Sequence, residues 1–119
     1  MPEQLTMPVI FRRPRSKRDF ENDGVTAVFP TEPHDVSGRF MTCYAHVGQH
    51  GSCSWDWYHT TRPATPEEYA DLLKELRGIY ETSICEEDPI VTLVVRQRIS
   101  PQHRQAFNAE VRRVRSMAA

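Results

Sequence analysis

Four side chains able to bind a metal or move a proton fall close together: Cys43, His46, His50 and Cys53. Two thiols and two imidazoles are a donor set that tetrahedral zinc accepts. Their spacing, Cys-x-x-His-x-x-x-His-x-x-Cys, matches no standard finger or ribbon. Cys43 and His46 lie three apart in an extended segment, which points them to opposite faces. The same histidines, with Ser52, Cys53, Ser54 or Asp56 nearby, would supply the base and nucleophile of a small metal-assisted hydrolase. No Gly-x-Ser-x-Gly elbow, phosphate-cradling glycine loop or His-Glu-x-x-His helix accompanies them. A small core thiol at Cys43 and imidazoles that brace a glycine bend account for the cluster without chemistry. The sequence therefore implies no metal, no cofactor and no catalytic residue, and the hydrolase ranks last among the functions it allows.

Binding ranks first. Trp55, Trp57 and Tyr58 offer flat apolar faces, and His46, Gln49, His50 and Arg62 offer hydrogen-bond donors within the same stretch. Tyr44 lies just before them, and the amides of Gly48 and Gly51 can approach an anion closely. The expected surface is thus His46, Gln49, His50, Trp55, Trp57, Tyr58 and Arg62, gathered on one side of a sheet. Exposed Trp and Tyr beside Arg are the residue types enriched at protein-interface hot spots, which makes a protein the leading partner. The same groups would suit a nucleotide or cyclic nucleotide, with a base stacked on a ring and a phosphate at the glycines. Nucleic acid is a third partner class, through the basic segments Arg12–Lys17 and Arg104–Arg115, and the last helix also offers a homodimer contact. A net charge of −1 and the lack of a recognised nucleic-acid motif weigh against it.

The elements that must position these groups follow from local signals. Residues 1–7 read as a loose leader. Val9, Ile10 and Phe11 form a first strand, residues 14–23 a charged loop ending in the turn Asp23-Gly24, and Val25–Phe29 a second strand pairing with the first as a hairpin. Phe40–Val47 alternates, with Met41, Cys43, Ala45 and Val47 as the apolar, core-facing set and Tyr44 and His46 turned the other way. Ser54–His59 reads as a short extended piece with both indoles on one face. Thr65, Pro66 and Glu68 form a capping box with proline at the first helical position, and Tyr69, Leu72, Leu73 and Leu76 make its buried stripe up to a cap at Gly78. Ile90–Arg98 begins as a continuous apolar run and reads as the central strand. Ser100-Pro101 opens a basic C-terminal helix over residues 100–119. The order β-β-β-α-β-α indicates a single α+β domain over 1–119, a small, mostly antiparallel sheet with two helices packed on it.

The blocks Val9-Ile-Phe-Arg, Cys43-Tyr-Ala-His-Val-Gly-Gln-His-Gly, Ala64-Thr-Pro-Glu-Glu-Tyr-Ala-Asp-Leu and Val94-Val-Arg-Gln-Arg resemble a family of small uncharacterised proteins of bacteriophages and bacterial mobile elements. The family brings no activity with it. The resemblance implies an accessory protein that modulates or inhibits a host component, including anti-defence proteins of the anti-CRISPR kind. The acidic stretch Glu81–Asp88 is an addition to the family's shorter layout.

Composition agrees with a binding domain. At 119 residues, 39% of them apolar and 26% charged, the chain can bury one core without staples. It carries three cysteines and no Cys-x-x-Cys pair, which suits reduced thiols in the cytoplasm, the host's if the protein is phage-encoded. No apolar run is long enough for a membrane span.

Overall fold

The sheet is assembled around β1 (Leu5–Pro14). In the computed structural model, which describes residues 5–45, 50–82 and 90–118, β1 is paired along both of its sides. On one side it runs antiparallel to β2 (Thr26–Pro33), with Ile10 opposite Val28. Its other side is shared. β6 (Val91–Arg96) lies parallel along Leu5–Ile10, and the short β5 (Thr61–Pro63) lies antiparallel along Arg12–Pro14. β3 (Phe40–Tyr44) and β4 (His50–Ser54) extend the sheet beyond β2, giving the order β4-β3-β2-β1-β5 with β6 also on β1. The architecture is α+β, a six-stranded, mostly antiparallel mixed sheet with helices packed on it.

Both faces of this sheet are covered, so adjacent residues of β1 are buried in opposite directions. Val9 and Phe11 join Ala27, Phe29 and Tyr44 beneath α3 (Pro66–Tyr80), which contributes Leu72 and Leu76. Ile10 and Val28 join Met41 and Cys53 beneath α4 (Pro101–Ala118), which contributes Phe107 and Val111. That explains why Val9-Ile10-Phe11 is uninterrupted by polar residues. The expected two-sided central strand is therefore β1, and β6 is an edge strand among the described residues. Tyr44, expected on a solvated face, is 2% exposed because α3 closes that side.

The connections depart further from expectation. Residues 17–23 are helical, not loop: Ser16 caps α1 (Lys17–Asp23) by accepting the Asp19 N–H, and Gly24 closes it at φ +68°. Ser54–His59 is not extended. Ser54 accepts the Trp57 N–H at 3.0 Å and starts α2 (Trp55–His59). The strand begins at Leu5, inside the segment expected to be loose. The order therefore gains α1, β4, α2 and β5 over the simple β-β-β-α-β-α reading. The α3 capping box forms as expected, with Thr65 and Glu68 bonded reciprocally. The helix does not stop at Gly78 but runs on to Tyr80, with Glu81 as its cap. Among the described residues no helix is long and apolar enough to cross a membrane.

Candidate functional site

The alternation of β4, continued by the helix that Ser54 starts, decides where the aromatic cluster goes. In β4, His50, Ser52 and Ser54 stand opposite Tyr44, Thr42 and Phe40, on the α3 side. Cys53 stands opposite Met41, on the α4 side. Trp55 and Trp57 have the same parity as Cys53, and the change at Ser54 from a repeat of 2 residues to about 3.6 brings Tyr58 round to the α4-side cluster with them. His50 and the indoles are therefore on opposite sides of the sheet, and the expected one-sided patch does not form.

Trp55 is half-buried and held from three directions. Its Nε1 donates to Gly38 O at 3.2 Å, and its ring meets Phe107 of α4 edge-on at 5.0 Å. The guanidinium of Arg104 lies over the indole with Cζ 4.0 Å from the ring centroid. Gly38 suits this contact because its φ of +76° is a glycine conformation. The Trp55–Arg104 stack forms a ridge between two shallow clefts. One, of about 390 Å³, is walled by Tyr58, His59, Arg98 and the turn Ile99–Pro101. The other, of about 430 Å³, is walled by Gly38, Arg39, Phe40, Ser54 and Asp56.

Tyr58 lies behind the first cleft and is itself 7% exposed. Arg12 stacks over its ring at 4.3 Å, donates from Nε to Thr61 Oγ1 and from Nη2 to Thr61 O, both at 2.8 Å, and so ties β1 to β5. No carboxylate accompanies this guanidinium among the described residues, and burial pulls its pKa down. Arg13 is buried as well, paired with Glu68 at 2.5 Å. The basic segment expected to meet nucleic acid is thus half structural. Trp57 turns toward α1, lining a separate cleft with Arg15, Ser16 and Asp19.

On the other side, His50 is exposed, 5.1 Å from the Tyr44 ring, and its Nε2 is hydrogen-bonded to Tyr80 Oη at 2.5 Å. Burial raises the Tyr80 pKa, and Glu32 and Tyr44 add to the effect. Arg62 is half-buried opposite Arg13, with Nη1 donating to Pro63 O at 3.3 Å. His46 and Gln49 lie outside the described residues, as do Cys85 and most of the acidic stretch. Cys43 and Cys53 are free thiols on the α4 side, and the hydrogen bond between their side chains together with burial pushes the Cys53 thiol well up. Among the described residues no three His, Cys, Asp or Glu side chains converge as a metal site would require.

The sequence reading did not place Arg39, Arg98 or Arg104 at Trp55, where they line its two clefts from the segment before β3 and from the turn into α4. Arg104 was legible only as part of a basic helix, since nothing local announces a stacking partner in α2. No protein-family model, curated protein or solved structure matches this chain.

Proposed function

We propose that this protein acts by binding a host protein that presents an acidic surface, and that the contact is centred on the Trp55–Arg104 ridge. The supporting observation is the stack itself. A half-buried indole carries a guanidinium on its face, and Arg39 and Arg98 flank it at the rims of two shallow clefts. Trp and Arg are the residues that most often carry interface energy, and rim guanidiniums steer an acidic partner into place. A nucleotide is less well served, because the rings that would hold its base are already engaged: Arg12 covers Tyr58, and Trp55 packs between Arg104 and Phe107. The resemblance to phage and mobile-element accessory proteins makes the partner a host component such as a defence protein, met in the host cytoplasm.

The test is affinity capture from the bacterial host, followed by reconstitution of the purified pair. Trp55→Ala and Arg104→Glu should each weaken the reconstituted complex by at least about 2 kcal/mol, the size of a hot-spot loss. Their circular dichroism should match the wild type. A reconstituted complex equally tight with both variants would place the interface elsewhere.

A further inference from the structure

We infer that the cleft between α2 and the start of α4 is an oxyanion receptor, which takes a carboxylate or phosphate group against the guanidiniums of Arg98 and Arg104. The inference deepens the binding reading above and rests on it for the location of the working surface.

Its lining contains Arg98, Arg104 and His59 and no carboxylate. Asp56 lines the neighbouring cleft across the ridge, which Arg104 also borders. Neither the Arg98 nor the Arg104 guanidinium has a hydrogen-bond acceptor or ion-pair partner among the described residues. That separates them from the arginines that hold the fold together. Arg12 donates to Thr61, Arg13 to Glu68, Arg113 to Glu110, and Arg115 to Val36 O and Ser37 O.

Arg104 is also held in position. A guanidinium lying on an indole face keeps its N–H groups in its own plane, directed away from the ring and free to form the two-pronged contact that carboxylates and phosphates accept. Pre-positioning of this kind reduces the entropy lost when a ligand binds. The surroundings add further positive charge. Arg12 lies behind the Tyr58 wall without a carboxylate, and Arg96 is near enough to help depress the His103 pKa at the first turn of α4. Two guanidiniums without an ion-pair partner among the described residues, converging on one cleft, are a site for an anion, whether it arrives as a partner's acidic side chain or as a phosphate ester.

The chain has two tryptophans, so Trp57→Phe leaves Trp55 as the single indole reporter at the cleft. This protein should be titrated with inorganic phosphate and, separately, with acetate, at ionic strength held constant with potassium chloride. A saturable change in Trp55 emission is expected. Its apparent Kd should rise at least tenfold in Arg98→Gln and in Arg104→Gln, and stay unchanged in Arg112→Gln, which lies outside the cleft. Saturation by phosphate alone assigns a phosphate ester as ligand, and saturation by acetate as well assigns an acidic side chain. A linear response, or a saturable one that both cleft variants preserve, would overturn the inference. A host protein that still requires Trp55 would in that case leave the binding reading intact. Anion saturation without any such partner would do the reverse.

Discussion

The Glu68 carboxylate serves two elements at once: Oε1 accepts the Thr65 N–H at 2.9 Å to close the α3 cap, and Oε2 pairs with Arg13 Nη1 of β1 at 2.5 Å. A local capping signal and a tertiary anchor thus share one side chain. The Thr65 N–H and then Arg13 hold its pKa below the model-peptide value of 4.5. A carboxylate depressed in the folded state contributes fully above its unfolded pKa and loses that contribution as pH falls through the folded one. Glu68→Ala should cost about 1 kcal/mol for the cap bond. The partly exposed ion pair should add less than about 1 kcal/mol. Urea unfolding at neutral pH should show this gap, and repeating it well below pH 4.5 should close it.

His103 plays the corresponding part in α4. Its Nδ1 accepts the Ser100 N–H and its own N–H donates to Ser100 Oγ, both at 3.1 Å, which is a capping box with imidazole in place of glutamate. The acceptor exists only while Nδ1 is unprotonated. Burial, helped by Arg96, lowers this pKa from 6.5, so the neutral form is favoured in the fold. Its stabilising effect is complete above pH 6.5 and declines as pH falls through the lowered value. His103→Gln keeps the box and removes the titration. Melting temperatures measured on both sides of pH 6.5 should fall less with acid in the variant than in the wild type, and parallel falls would refute the assignment.

The Glu81 carboxylate accepts the Leu93 N–H at 2.8 Å, covering a donor that β1 does not take. β6 is otherwise Val91-Thr-Leu-Val-Val, an apolar edge with neither proline nor charge before Arg96. Unprotected edges of this kind pair with other chains. Glu81→Ala should therefore sediment as a concentration-dependent mixture, while the wild type shows less association at the same concentrations. Identical sedimentation of the two proteins would mean that the edge is guarded by something else.

Arg12 joins Thr61 by two hydrogen bonds and lies on Tyr58, an arrangement that needs a planar fork. Arg12→Lys should destabilise the fold by about 1–3 kcal/mol, since a buried ammonium cannot replace both bonds. Arg12→Met should cost no more, because an apolar side chain of similar length avoids desolvating a charge. Chemical denaturation of both variants decides it. A methionine variant clearly weaker than the lysine one would show that the charge itself matters to stability.

The elements that were readable in the chain are those whose signals are local. Thr65-Pro66 with Glu68, and Ser100-Pro101, announce two helix starts through backbone N–H groups satisfied within one turn. The stripe Leu72, Leu76 names the buried side of the first of them. α1 and α2 were not readable, since each spans too few residues to show an apolar period, and Ser16 and Ser54 resemble ordinary loop serines until the N–H groups they cap are seen. α3 passes through Gly78 because Tyr80 is held at its end by His50 and Phe29, a preference that no cap rule contains.

By itself, then, the sequence determined an α+β domain, its two long helices and the stretch where rings and imidazoles concentrate, because capping, strand alternation and turn formation depend on residues only a few positions apart. Only the tertiary structure decided which side of the sheet each group occupies. The pairing of β4 with β3 sends His50 toward α3 and Cys53 and Trp55 toward α4, and the helix that Ser54 starts brings Tyr58 to the α4 side as well. Only the packed fold, likewise, brought Arg104 onto Trp55 and set Arg98 in the cleft beside it, because contacts between segments far apart in the chain are set by how the layers close and leave no trace in local spacing.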